Sequence, residues 1–149
     1  MLSQQEISDR FEIHDLLYRY ADIIDHKEFA KLRDEVFTED AFIDYSAFGG
    51  STGDPETTIE FLAKVLTVQL FPTTQHLVAN MQVVLDGDSA TGRIMCLNPQ
   101  NMQIGEETRV FFCGLWYLDE YRRTPAGWRI LRRVEEKSWV HNTPDFMNL

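Results

Sequence analysis

The stretch Leu16-Leu17-Tyr18-Arg19-Tyr20-Ala21-Asp22-Ile23-Ile24-Asp25-His26 decides how the rest of this chain is read. Ile13, Leu16, Leu17, Tyr20 and Ile24 recur at helical spacing and form one broad apolar face. Asp22, Asp25 and His26 crowd the last turn, where the helix dipole disfavours acids. A carboxylate held against the dipole points to a purpose other than helix stability. A helix of this pattern packs its apolar face on a sheet and presents Asp25 at the mouth of whatever the sheet encloses.

Upstream, Ser3-Gln4-Gln5-Glu6 has the form of a capping box and predicts a helix over residues 4–25. Downstream, residues 28–36 read as a short second helix, broken by Phe37-Thr38-Glu39-Asp40. Residues 41–45 alternate as a strand. Asp54-Pro55 is a strong helix start, and the apolar pattern of a third helix runs to Leu70 before Phe71-Pro72 ends it. The second half changes character. Residues 74–85, 89–96, 107–122 and 127–139 are rich in β-branched and aromatic side chains. Asp86-Gly87-Asp88 and Thr124-Pro125-Ala126-Gly127 mark turns, Leu97-Asn98-Pro99 marks a strand end, and residues 142–149 form a polar tail. Helices followed by long strands describe one α+β domain whose sheet curls around the helices and leaves a pocket.

Composition narrows the function. The chain has 149 residues, enough to bury a sizeable core without disulfides or metal. Its net charge of -10 and its lack of a basic patch argue against nucleic acid and anionic membrane surfaces. No apolar run reaches membrane-spanning length. Cys96 and Cys113 sit in apolar strand patterns and read as buried, reduced thiols of a cytosolic protein.

His76, at the start of the first long strand, is the informative histidine. It reads either as a structural histidine at a sheet edge or as a general base, and the second role needs a carboxylate to orient one ring nitrogen. Asp25 is the best candidate for that carboxylate. Tyr45 ends a strand from which its phenol can stabilise an oxyanion, or it is a core tyrosine. Tyr20, Trp116 and Tyr117 are candidates for an aromatic pocket wall. There is no His-Glu-x-x-His metal motif, no Gly-x-Ser-x-Gly and no phosphate or dinucleotide loop.

These pieces together resemble the scytalone dehydratase group of the SnoaL-like, nuclear-transport-factor-2-like superfamily. The resemblance runs from about Ile7 to Trp139. It is carried by Tyr20-Ala21-Asp22-Ile23-Ile24-Asp25 with Lys27-Glu28-Phe29, by Ile43-Asp44-Tyr45-Ser46-Ala47-Phe48, by Thr74-Gln75-His76, and by Tyr121-Arg122-Arg123 with Gly127-Trp128-Arg129-Ile130. It implies a cone-shaped, curved mixed sheet wrapped by three helices. It also implies that Asp25 orients His76 and that Tyr45 polarises a substrate carbonyl. Where the dehydratases carry a second active-site histidine, the nearest match here is Gln100; their serine and asparagine correspond to Leu115 and Tyr117. The base and its orienter are kept while part of the polar wall differs.

The expectation is a cytoplasmic lyase or dehydratase without cofactor or metal, acting on a small aromatic or polycyclic substrate. His76, Asp25 and Tyr45 would be catalytic, and Tyr20, Gln100, Tyr117 and Trp116 would bind substrate. The alternatives are a ketosteroid-isomerase-like activity, or a non-catalytic module such as a ring-hydroxylating oxygenase small subunit. The resemblance further implies a homodimer or homotrimer paired through the outer face of the sheet.

Overall fold

Ser3 starts the first helix as its sequence implies. In the computed structural model, which describes residues 1–149, the Ser3 hydroxyl accepts from the Glu6 N–H while the Glu6 carboxylate accepts from the Ser3 N–H. Helix α1 (Gln4–Asp25) buries Ile13, Leu16, Leu17, Tyr20, Ile23 and Ile24. Its N-terminal half is pinned by Asp9, whose two oxygens accept from the Arg123 guanidinium at 2.7 Å each, with a third bond from the Trp128 indole at 3.1 Å. These donors hold the Asp9 carboxyl down at about 2. The axis of α1 is thereby fixed at both ends, since Asp25 is anchored as well.

Helix α2 (Lys31–Glu35) is shorter than the expected 28–36, because Lys27 turns the chain with a positive φ of 60° and residues after it make turn-type bonds. Strand β1 (Phe37–Asp44) begins where a break was expected. A bulge between Phe37 and Phe42 disturbs the alternation that would have revealed it. After a single 3-10 turn (Ser46–Phe48) and the two-residue strand β2 (Thr52–Gly53), helix α3 (Pro55–Val65) is capped by Asp54, which accepts from the Thr57 N–H at 2.8 Å. It stops short of Leu70: the Leu66 N–H closes the last turn, and the Thr67 hydroxyl takes the Leu70 N–H.

The sheet contains β3 (Thr73–Thr74), β4 (Leu77–Asp86), β5 (Ser89–Ile104), β6 (Glu107–Thr124) and β7 (Gly127–His141). Strand order is β2-β1-β7-β6-β5-β3, with β4 also pairing β5; β1 and β7 run parallel and the other pairs antiparallel. The three helices pack on one face of this large, curved, mixed sheet, which is the cone expected.

Two departures matter for the site. First, β5 does not end at Leu97-Asn98-Pro99 but runs on to Ile104. Pro99 is tolerated because its missing donor points at the sheet edge, the side on which its carbonyl accepts from the Gln75 N–H. That gap coincides with the break between β3 and β4, so the expected strand 74–85 is split at Gln75-His76. Second, the tail over residues 142–149 is not a free polar end. A 3-10 turn (Asp145–Met147) sets Met147 and Leu149 on the wall of the main cavity.

Candidate active site

Asp25 ends α1 and reaches the broken sheet edge. Its Oδ1 accepts from the Thr74 hydroxyl at 2.9 Å and from His76 Nδ1 at 2.7 Å, while its Oδ2 accepts from the His76 backbone N–H at 2.9 Å. The Gln75 N–H points to β5 and donates to the Pro99 carbonyl, so the next N–H along the chain, that of His76, points away from β5 and is met by Asp25. Burial pushes the Asp25 carboxyl up, but the hydrogen bonds from His76 and Thr74 outweigh it and leave the group below the usual carboxylate range. These three donors offset the unfavourable place of an acid at a helix C-terminus.

An ionised carboxylate at Nδ1 fixes the tautomer of His76. Nδ1 carries the proton, and Nε2 carries the lone pair, towards which Asn98 Nδ2 donates at 3.2 Å. Asn98, Thr74 and Gln100 line the same cavity as His76. Asn98 Oδ1 is buried without a partner, so it is an acceptor left over for a ligand.

Tyr20 and Tyr45 share a buried hydroxyl–hydroxyl bond of 2.8 Å. The Tyr20 ring meets the His76 ring edge-on at 6.3 Å. Burial pushes Tyr20 up to about 12 and Tyr45 well above its ordinary value, so both phenols are proton donors at neutral pH. One hydroxyl donates to the other, and the remaining proton is free for a ligand oxygen. Below them the Arg133 guanidinium, paired with Asp119 at 2.7 and 2.8 Å, lies 4.2 Å from the Tyr20 ring centre and 4.0 Å from that of Tyr117.

The cavity has a volume of about 130 Å³, and fourteen of its twenty lining residues are apolar, which favours an uncharged ligand. His76, Tyr20, Tyr45 and Gln100 line it as expected. Asp25 stands behind His76. Tyr117 packs on Tyr20 from beneath, with ring centres 5.7 Å apart, and is outside the lining. Trp116 does not belong to the site: it points to the outer face of β6, where Arg93 stacks on it at 3.7 Å. Neighbouring residues of a regular strand face opposite ways, so Trp116 and Tyr117 could not both have pointed inward. Asn98 and Thr74 were legible by the same parity, two residues from Gln100 and His76 respectively. Glu135 also lines the cavity and had no such signal. Burial pushes both cysteine thiols up to about 12, which removes them as nucleophiles. No three His, Cys, Asp or Glu side chains are grouped to hold a metal, and no helix is long and apolar enough to cross a membrane.

A family model described as a SnoaL-like domain matches residues 5–134. The chain belongs to the SnoaL-like family. Within it, an uncharacterised protein of Mycobacterium tuberculosis is 49% identical over 137 residues, covering 92% of this chain and 90% of that one. Among solved structures, a protein of Novosphingobium aromaticivorans proposed to be a scytalone dehydratase superposes with a TM-score of 0.82 at 18% identity, covering 96% of this chain and 93% of the other. A hexachlorocyclohexane dehydrochlorinase from Novosphingobium barchaimii gives a TM-score of 0.76 at 18% identity, covering 93% and 92%. At these identities the two structures share the SnoaL-like fold with this chain, and the fold leaves the chemistry to the site.

Proposed function

We propose that this SnoaL-like protein is a cofactor-independent lyase that removes a proton beside a carbonyl and expels a leaving group from a small ring compound. The observation that supports this most is the 2.7 Å contact between Asp25 and His76 on the wall of an apolar cavity. With Nδ1–H committed to Asp25, Nε2 is the basic atom. The substrate carbonyl oxygen accepts from the Tyr20–Tyr45 hydroxyl pair, and Nε2 takes the proton from the adjacent carbon. Negative charge grows on the oxygen, where the phenols donate to it in a mainly apolar cavity. The electrons then form the new double bond as the leaving group departs. Two structural neighbours are named as a dehydratase and a dehydrochlorinase, and that supports elimination as the outcome.

The cavity volume of about 130 Å³ is close to the roughly 150 Å³ of apolar space that holds one benzene. A single ring fits that volume. A homodimer or homotrimer is part of the same reading: Val84, Val110 and Trp139 are about half exposed or more, and a sedimentation run giving a monomer at micromolar concentration would contradict it.

The test of the base needs no natural substrate. In D2O, wild-type protein should incorporate deuterium beside the carbonyl of cyclohexanone, followed by NMR, and His76→Ala should not exceed the buffer rate. Equal exchange by the two proteins would remove His76 as the base.

A further inference from the structure

We infer that Glu135 is a second catalytic group of this cavity, the acid that protonates a departing hydroxyl, and that the substrate is a single-ring β-hydroxy carbonyl compound. The inference rests on the proton-abstracting role of His76 proposed above.

Glu135 stands opposite Tyr117 in the register of β6 and β7 and lines the cavity with His76, Tyr20 and Tyr45. It faces inward because β7 carries an extra residue at Leu131: Ile130 pairs with Tyr121 and Arg132 with Glu120, which shifts the inward set to Arg133 and Glu135. Arg133 finds its counter-charge in Asp119. Glu136, on the outer side, finds Arg93. Glu135 has neither an ion pair nor a hydrogen bond to hold its charge.

The groups that bear on it are known from every side. Tyr20 comes from α1, Asp44 and Tyr45 from the end of β1, Cys96 from β5, and Cys113 and Tyr117 from β6. The phenols and thiols are uncharged at neutral pH, so Asp44 and Arg133 are the charges that act, in opposite directions. His76 is the remaining titratable group on the cavity. Glu135 is half-buried, and desolvation of its carboxyl dominates and lifts it to about 8. The cavity therefore holds a neutral carboxylic acid, while Asp25, with three donors on it, is ionised. Two carboxyl groups driven apart in this way serve as an acid on one side and an orienter of the base on the other.

The step balances. His76 Nε2 takes the proton from the carbon next to the carbonyl, and that C–H electron pair becomes the new C=C bond. The C–O bond to the β-hydroxyl breaks, and its electron pair takes the Glu135 proton, so that water leaves. The enzyme is left with an imidazolium and a carboxylate, and transfer of the proton from one to the other through released water resets it. A halide leaves as a stable anion and would not need this acid, so Glu135 marks a preference for oxygen over halogen as the leaving atom.

The experiment compares two reactions in wild type, Glu135→Gln and His76→Ala: dehydration of β-hydroxycyclohexanone to cyclohexenone, followed by ultraviolet absorbance, and deuterium exchange into cyclohexanone. Glu135→Gln should lose roughly 10²–10⁴-fold in dehydration but less than about tenfold in exchange, and His76→Ala should lose both. The exchange kept by Glu135→Gln also reports that its cavity is folded. Undiminished dehydration in Glu135→Gln, or equal losses in both reactions, overturns the role of Glu135; His76 stands as the base if His76→Ala still abolishes exchange. Wild-type protein that neither exchanges deuterium nor releases enone overturns both readings.

Discussion

Asp119 and Asp25 are both carboxylates saturated with donors, and they end differently. Asp119 takes two bonds from Arg133 and one from the Tyr121 hydroxyl, and both side chains of the ion pair are 0% exposed. Asp25 takes its bonds from Thr74 and His76, in a pair whose side chains keep 21% and 7% exposure. The carboxylates are equally well held; the partners are not equivalent. A guanidinium is always charged, and here its chain of contacts stops inside the protein, against two aromatic rings. An imidazole has a second nitrogen, and that nitrogen faces a cavity. What marks the reactive pair is a second nitrogen on the partner of the acid, held only by the neutral Asn98 amide at 3.2 Å, not the number of bonds on the acid.

If that distinction holds, breaking the pair has opposite consequences in the two places. His76→Ala should cost roughly 10²–10⁴-fold in deuterium exchange, with a melting temperature close to that of wild type; lost exchange accompanied by lost folding would mean that His76 is structural. Asp119→Ala strands the Arg133 charge in the core and should cost about 3–5 kcal/mol in urea denaturation. The double replacement Asp119→Leu with Arg133→Met should recover most of that loss, since no charge is then left buried. Tyr45→Phe should slow exchange by about 10- to 100-fold, below the usual 10²–10³ for losing an oxyanion donor because Tyr20 retains a hydroxyl.

A further effect concerns stability and pH. The folded-state pKa of Glu135 is raised from 4.5 to about 8, so the folded chain holds this proton more tightly than the unfolded one. Its stabilising contribution is complete below the unfolded value and is lost as pH rises through the folded value. Urea midpoints of wild type and Glu135→Gln should agree near pH about 4 and separate towards pH about 9, with the variant the more stable. Midpoints that stay parallel would show that Glu135 is not buried as an acid.

The sequence was legible where structure is local. The period of α1, its capping box and the Asp-Pro start of α3 depend on neighbours a few residues apart, and they placed Asp25 at a helix end facing the sheet. The pairing with His76 and the role of Tyr45 were candidates from the chemistry of the side chains, and the resemblance implied both; no local rule supplies either. What escaped was set by irregularities of the sheet. The bulge in β1 hid its first half, and Pro99 disguised the middle of a sixteen-residue strand. The extra residue in β7 turned Arg133 and Glu135 inward against the parity of Trp128 and Ile130. The tail was read as polar, yet the two apolar residues in its last three positions are the ones that reach the cavity.

The central claim is that Asp25 holds the proton on His76 Nδ1 and leaves Nε2 basic. Nitrogen-15 NMR of the imidazole, at a pH where His76 is neutral, measures this without a substrate. Wild type should show a protonated Nδ1 and a bare Nε2. Asp25→Asn should disturb that tautomer, because all three groups facing residue 25 are donors and an amide must present an N–H to one of them. A proton found on Nε2 in the wild-type protein would contradict the account.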